Sequence, residues 1–488
     1  MTDRAKPRRR RLERLEINLD RASAAPLYRQ IYERLRDAIG RGTLPPGERL
    51  PSARSLASQL ATARGTIDLA YGLLAGEGYI LPRGAAGTVV ALGLAPRGAR
   101  RQTRKPRPDS ASREDGVART REGLPLPFQM GLPALDAFPR KLWSRLTARR
   151  ARRLAPNDLA CAEAAGHEPL RAAIAAHLAV ARGIVCAPEQ ILITTGFQGA
   201  LGLVTRALMR PGDRSWIEDP CYFRARSGLA AAGAALIPVR VDAQGIDVSA
   251  GIARAPAARF ALVTPSHQSP LGMTLSLPRR LALLGWAREA KAWIIEDDYD
   301  SEYHYKGPPP PALKSLDRDG RVLYVGTFSK VLFPALRLGY LVLPEGVLAD
   351  FRRIVTRLHL AGSSLEQAVT ADFMTEGHFA RHIRRMRNLY AERRRALAEA
   401  LADCFGPRFG IKIQAGGMRL IARLDAREDD CALAARALAH GLAPSPLSPC
   451  AIQRDCGQGL LLGFTNVAEE DAPALAEQLH RALEGSQD

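Results

Sequence analysis

The segment Thr327-Phe328-Ser329-Lys330, with Arg337 seven residues beyond the lysine, lies downstream of Glu296-Asp297-Asp298-Tyr299-Asp300. Each group closes a short apolar run, Ala292–Ile295 and Val322–Val325, of the length and composition of a buried strand. An amine, a carboxylate, a phenol and a guanidinium gathered at strand ends suit pyridoxal 5'-phosphate. The lysine forms the aldimine, the acid keeps the pyridine nitrogen protonated, and the arginine grips the phosphate. Each residue alone has a plainer reading. A lysine after a strand is ordinarily solvated, paired aspartates ordinarily cap a helix, and an arginine such as Arg337 ordinarily forms a surface ion pair. Their order together carries the expectation.

The elements that must position these residues follow from periodicity. After Phe128, strand-like runs at Ile191–Thr194, Trp216-Ile217, Leu236–Val239, Phe260–Val263, Trp293–Ile295, Val322–Val325 and Tyr340–Leu343 alternate with helical stretches such as 170–182 and 278–290. Such alternation predicts an α/β fold, a mostly parallel sheet covered by helices. From about residue 345, long helices at 350–360, 379–402, 430–441 and 469–484 predict a smaller second domain.

The first ninety residues are different. Pro26 starts a helix with Leu27, Ile31, Leu35 and Ile39 on one face, and Ser52 is an N-cap for a second helix with Leu56 and Leu60 inward. A third helix from about Thr66 carries the apolar Ile67, Ala70, Leu73 and Leu74, and strands at 79–81 and 88–90 flank the glycine-rich tip 83–87. Three short helices and a β-wing make a winged helix over 25–92. A charged arm precedes it (1–24), and a flexible basic linker (93–127) joins it to an effector domain, 128–488.

Charge is unevenly spread. The chain of 488 residues has a formal net charge of +20, and residues 1–120 hold 24 Lys/Arg against 12 Asp/Glu. An excess of positive charge at one end suggests a polyanion partner. The 7 cysteines are scattered without a Cys-x-x-Cys pair or zinc spacing, so free thiols in a reducing cytoplasm are expected and no metal site is. No apolar run approaches transmembrane length and the basic N-terminus is not followed by a secretory apolar segment, so no membrane partner is expected.

Two sets of motifs resemble known families. Arg49-Leu50-Pro51-Ser52-Ala53-Arg54-Ser55-Leu56-Ala57, Ala63-Arg64-Gly65-Thr66-Ile67 and Gly76-Glu77-Gly78-Tyr79 resemble the winged helix-turn-helix of the GntR family of bacterial regulators. Physical chemistry agrees: Ser52 and Arg54 near a helix start suit a backbone phosphate, Arg64 and Thr66 open the third helix where base edges are read, and Arg83 on the wing suits the minor groove. The Arg97–Arg107 run adds nonspecific affinity or is simply solvated. From Phe128 onward, Phe138-Pro139, Trp143, Thr194-Thr195-Gly196-Phe197-Gln198, Glu218-Asp219-Pro220-Cys221-Tyr222, Thr264-Pro265-Ser266-His267-Gln268, Asp297–Glu302 and the Lys330 segment resemble fold-type I aminotransferases of class I. Together the two halves resemble a MocR-type regulator.

The resemblance implies roles residue by residue. Lys330 is the Schiff-base lysine, Asp297 (rather than Asp298) the partner of the pyridinium nitrogen, Tyr299 a donor to the phenolic oxygen, and Tyr222 a ring-stacking group. Phe197 and Gln198 at a helix start, with Thr327, Ser329 and Arg337, form the phosphate site. It also implies a homodimer, in which the head of one subunit commonly rests on the effector domain of the other.

Four departures from the families' patterns bear on function, three in the aminotransferase-like part and one in the head. Ser269 stands where aminotransferases place an asparagine before Pro270, leaving the phenolic-oxygen contact missing or supplied by Gln268 or His267. Phe197 fills a position usually small, and Gly65 replaces a usual polar residue of the head. Leu461 stands where the substrate-carboxylate arginine is expected; Arg224, Arg226 or Arg419 are the candidate substitutes. The expected function is thus DNA-binding transcription regulation, with pyridoxal phosphate itself or an amino compound sensed as effector through Lys330. An active aminotransferase with an accessory head, or an enzyme-like domain retained only for dimerisation, are the alternatives.

Overall fold

A computed structural model of the chain describes residues 18–23, 25–92, 125–160, 163–305, 307, 310–358 and 362–484. Most of the expected arm and most of the linker, including Arg97–Arg107, lie outside the described residues. The chain divides into two compact units, Met1–Asp109 and Ser110–Asp488.

In the first unit, α1 (Leu27–Gly40) buries Ile31, Tyr32, Leu35 and Ile39 along one face. Ser52 caps α2 (Ala53–Gln59), its Oγ accepting from the Ser55 amide at 3.2 Å. Helix α3 begins at Arg64, two residues before the expected start, and runs to Gly76. It buries Ile67, Ala70, Tyr71 and Leu74, whereas Leu73 is 43% exposed. Tyr71 holds the inward arc instead, donating from its hydroxyl to the Pro51 carbonyl at 2.9 Å. Strands β2 (Ile80–Pro82) and β3 (Thr88–Val90) form the wing, and the unexpected pair Arg49–Leu50 (β1) joins it in the order β1-β3-β2. Gly87 at the tip has φ +87°, and a Cβ there would lie 2.7 Å from the Arg49 Nε, so the wing closes only over a glycine.

The second unit is built on an eight-stranded sheet in the order β4-β11-β10-β9-β8-β5-β6-β7. Its strands are β4 (Ile191–Thr194), β5 (Arg214–Asp219), β6 (Ala235–Asp242), β7 (Gly245–Ile246), β8 (Phe260–Val263), β9 (Trp293–Asp298), β10 (Val322–Thr327) and β11 (Gly339–Val342). The β6-β5-β8-β9-β10 run is parallel, and β11 lies antiparallel between β10 and β4. Alternation along each strand feeds two cores. Ile191, Ile193 and Tyr324 face a layer with α4 (Arg140–Ala151), α5 (Glu168–Arg182) and α11 (Ser364–Thr375); Leu192, Leu323 and Val325 face α6 (Phe197–Leu208) and α10 (Leu348–Leu358). Helices α10 and α11 therefore belong to the sheet's layers, through Phe351, Val355, Val369 and Phe373, rather than to the expected second domain.

A further core gathers around α12 (His378–Phe405), β13 (Arg419–Arg423), α13 (Asp430–Ala439), β15 (Gly459–Gly463) and α14 (Ala472–Glu484), and β12 (Gly410–Lys412) and β14 (Ser445–Pro446) complete a sheet of order β12-β13-β15-β14. Phe128 and Ala134 join it from far upstream. Replacing the cap in Ser52→Ala should destabilise the head by about 1 kcal/mol, because one helix-end amide loses its acceptor. Faster hydrogen exchange confined to residues 27–90 would show it; unchanged exchange would remove Ser52 as a structural cap.

Candidate functional site

Sheet register collects the predicted residues. Thr327 pairs with Gly339, which pairs with Thr194 on its other side, and Asp297 pairs with Val325. The ends of β4, β9 and β10 and the start of β11 therefore share one edge, the carboxyl end of the parallel strands, where open α/β sheets bind ligands. Lys330 follows β10 by three residues. Burial lowers its pKa to about 8, only partly opposed by Asp300 and Asp297. Its Nζ donates to the Gly131 carbonyl at 2.9 Å. Gly131 has φ +75°, and any Cβ there would overlap the lysine amine.

Gly131 belongs to a strap, residues 125–137, that sequence reasoning overlooked. The strap is pinned to the α12/β15 core: the Gly463 amide donates to Phe128, the Ala443 amide to Pro127, Thr465 to Leu132, and the Ala134 amide to the Tyr390 hydroxyl. Leu126 is held too, accepting from Asn466 Nδ2 at 2.6 Å. Residues 125–127 are therefore anchored, not part of a flexible linker. The available sequence signal was the small residue in Met130-Gly131-Leu132, which no motif required.

Neighbouring aspartates of β9 point to opposite faces and have opposite fates. Asp298 is ion-paired with Arg182 at 2.8 Å and accepts from the Tyr324 hydroxyl at 2.6 Å. Arg182 also donates to Ser266 and to the Pro310 carbonyl. Asp297 receives no hydrogen bond from the described residues. Desolvation, then Asp298 and Asp300, raises its pKa well above the usual carboxylate range, with Lys330 opposing. Asp297 is thus the carboxyl of the pair that the described residues leave uncommitted.

Tyr299 donates to the His267 carbonyl at 2.9 Å and accepts from Arg419 at 3.1 Å; burial raises its pKa. Gln268 is turned away. Its Nε2 donates to the Pro220 and Ser269 carbonyls and approaches Glu218, and its Oε1 accepts from the Leu271 amide. His267 Nδ1 lies 3.3 Å from both the Tyr299 hydroxyl and Asp300 Oδ2, while its Nε2 is buried without a partner. Of the two substitutes for the missing asparagine, His267 alone keeps an uncommitted nitrogen.

At the phosphate end, Gly196 (φ +79°) turns the chain into α6, so the first amides of that helix open beside Phe197 and Gln198. Gln198 Nε2 itself donates to the Arg224 carbonyl at 2.9 Å. Thr327 accepts from the Ser329 amide at 3.2 Å. Arg337 is exposed, has φ +52° and no ion-pair partner among the described residues. Tyr222 caps α7 (Phe223–Ala231), 6.1 Å from the Phe197 ring, and burial pushes its pKa up to about 12.

The three substitute arginines are not equivalent. Arg419 is buried and donates to the Pro270 and Gln268 carbonyls, each at 3.0 Å, besides Tyr299. Arg226 donates to Ala451. Arg224 is half-buried beside the Phe223 ring, acts electrostatically on Lys330, and has no acidic partner among the described residues. Leu461 is buried with Ile421 and Leu447, against Met130 of the strap and Leu271, so that wall is apolar.

In the head, Arg54, Arg64 and Arg83 are exposed, Ser52 Oγ is engaged as the cap, and Thr66 is half-exposed at the first turn of α3. Arg64 also pairs with Asp68 at 3.3 Å, an acid overlooked from sequence. A Cβ at Gly65 would meet nothing within 4 Å, so no packing demands the glycine.

Family models match on both units. Residues 27–90 match the bacterial regulatory proteins of the gntR family, and residues 145–457 match aminotransferase class I and II. The chain is 39% identical over 456 residues to the probable rhizopine catabolism regulatory protein MocR of Rhizobium meliloti, covering 92% of each chain. The chain belongs to the MocR-type regulators. This MocR-type chain is also 32% identical to the pyridoxine biosynthesis transcriptional regulator PdxR of Corynebacterium glutamicum, covering 93% of this chain and 96% of that protein. Its effector unit superposes on solved aminotransferases. For the Pyrococcus horikoshii kynurenine aminotransferase the TM-score is 0.67 at 28% identity, over 74% of this chain and 91% of that one. For LysN, the α-aminoadipate aminotransferase of Thermus thermophilus, it is 0.67 at 29%, over 74% and 92%.

The class I aminotransferase fold family generally binds pyridoxal phosphate. The donor set here fits that group: a desolvated amine cradled by Gly131, an opening helix end at Gly196, and, among the described residues, a buried carboxyl at Asp297 and a His267 nitrogen without hydrogen-bond partners and an Arg337 without an acidic one.

The two aspartates should separate by experiment. Asp298→Ala leaves Arg182 buried without its carboxylate and should lower stability by about 3–5 kcal/mol. Asp297→Ala removes a carboxyl that bonds nothing and should leave denaturant midpoints nearly unchanged. Equal losses would show that Asp297 has a structural role.

Proposed function

We propose that this MocR-type protein is a DNA-binding transcription regulator whose effector unit holds pyridoxal phosphate at Lys330 and senses either the cofactor itself or an amino compound. What carries this reading is the lysine amine, poised near neutral pH beside an uncommitted carboxyl, in a chain that also bears a gntR-family head. When bound, pyridoxal phosphate supplies an aldehyde that condenses with primary amines and a ring that withdraws electrons.

The chain's own residues divide the work. Lys330 provides the amine, unprotonated at lower pH than a solvated lysine because burial disfavours its charge. Asp297 keeps a proton at the ring nitrogen. Tyr299, fixed by Arg419 and the His267 carbonyl, and His267 Nε2 face the phenolic side. Tyr222 covers the ring. The first turn of α6, Thr327, Ser329 and Arg337 hold the phosphate, Arg337 through its two-pronged guanidinium.

The effector is read by Arg224, the guanidinium near Lys330 with no acid to neutralise it, against the apolar wall around Leu461. Losing the Lys330–Gly131 hydrogen bond would remove the strap's tie to the lysine while its bonds to the α12/β15 core persist. Effector binding biases two arrangements of the heads in a homodimer. On DNA, Arg54 and the start of α2 contact phosphates, Arg64 and Thr66 meet base edges, and Arg83 enters the minor groove. The protein acts in the cytoplasm.

Purified protein mixed with pyridoxal phosphate should show a visible absorbance band that Lys330→Ala lacks. Its rate of formation should rise with pH and level off above about 8, since the reactive unprotonated amine accumulates as pH passes the lowered pKa. A band that persists in Lys330→Ala would overturn the assignment.

A panel of amino acids should shift the band without sustained turnover, and Arg224→Gln should weaken that shift at least tenfold while retaining the band. Continued transamination would instead favour an active aminotransferase. A band that no amino compound moves would make pyridoxal phosphate the signal, and Arg224 would then have no effector role.

A further inference from the structure

Between Asp136 and Asp158 the chain carries no acidic residue, and the cations of this stretch crowd onto α4. Arg149 and Arg150 turn towards α11, where they pair with Asp372 and Glu376. Arg140, Lys141, Arg145 and Arg152 are exposed and have no acidic partner among the described residues. At about 100° per residue these four fall within an arc of about 140°, and from first to last they extend about 18 Å. Leu142, Trp143 and Leu146 occupy the remaining arc and pack into the core.

The first turns of α12 share the α4 core through Phe379 and Ile383, with Phe138 and His382 rings 5.9 Å apart. There Arg384 and Arg385 are again exposed without acidic partners among the described residues. The acids at hand are already engaged: Asp372 and Glu376 by Arg149 and Arg150, and Asp136 by Arg393.

A merely solvated helix face ordinarily mixes signs, with acids four residues from bases. Here Lys141 and Arg145 stand four apart and repel, a cost that a bound polyanion would relieve. The chain's other unit is a gntR-family head, and a stripe of about 18 Å matches the axial rise of about five base pairs. We propose that the α4 face of the effector unit is a second, sequence-independent contact for duplex DNA, binding phosphates beyond those reached by the head. This rests on the DNA-binding reading of the chain.

The test uses the full-length protein and a 50-bp duplex of arbitrary sequence, with binding followed by fluorescence anisotropy across a salt series. The triple variant Arg140→Gln/Lys141→Gln/Arg145→Gln should make the slope of log affinity against log salt shallower by about 2.7, three phosphate contacts at about 0.9 each. A control of equal charge change elsewhere, Arg206→Gln/Arg210→Gln/Lys291→Gln, should leave the slope near the wild-type value. Both variants should keep the wild-type melting temperature.

An unchanged slope in the α4 variant, or an equal change in the control, overturns the proposal. So does equally tight binding of vesicles containing phosphatidylserine, since the face would then recognise anionic surfaces generally. Arg54→Gln/Arg64→Gln separates the two readings. If this head variant loses binding while the α4 variant does not, the head binds DNA and the α4 face does not. If neither variant changes the slope, the DNA-binding reading fails as well.

Discussion

The buried pair of Arg182 and Asp298 is the constraint on which the effector site depends. Two charges removed from water must meet each other and further dipoles, or the structure pays several kcal/mol per ion. Here the end of α5, the last residue of β9, Tyr324 of β10 and Ser266 beyond β8 are drawn to one point. With Asp298 fixed on that face, strand alternation must send Asp297 to the other. There it stands near Lys330 with no hydrogen bond from the described residues. The structural carboxyl thus makes its neighbour available for chemistry.

Desolvation acts on the amine and the carboxyl in opposite senses. It lowers the pKa of Lys330 and raises that of Asp297. A charged ligand entering the site meets groups ready to exchange protons. The Gly131 carbonyl holds the amine meanwhile, and Gly131 sits on a strap tied to β15 and α12 rather than to the sheet. The position of the lysine therefore depends on two layers of the unit at once.

Arginine is put to three different uses in this chain. Arg182 and Arg419 are buried and saturate carbonyls, hydroxyls or a carboxylate, which stiffens the loops around the site. Arg224 is half-buried and unpaired, which suits a ligand's anionic group. Arg140 and Arg145 of α4 face outward with no acidic partner among the described residues. Composition alone, with 70 Lys/Arg against 50 Asp/Glu, cannot distinguish these fates. They are set by which carboxylates the fold brings within reach.

Much of the architecture was legible because apolar runs and turn residues are local signals. Seven of the eight strands of the main sheet and the head's three helices with the Ser52 cap follow from periodicity and motif order. Helices α10 and α11 were assigned to the wrong layer, or missed, because an amphipathic face does not say which core it meets. By itself the sequence determined which elements form and which chemistry their ends can support, since both depend on residues close together in the chain. Only the tertiary structure decided which of two adjacent aspartates stays unbonded, which arginine remains unpaired and which carbonyl holds the lysine. Those outcomes depend on partners more than a hundred residues away, brought together by burying charge and apolar surface at once.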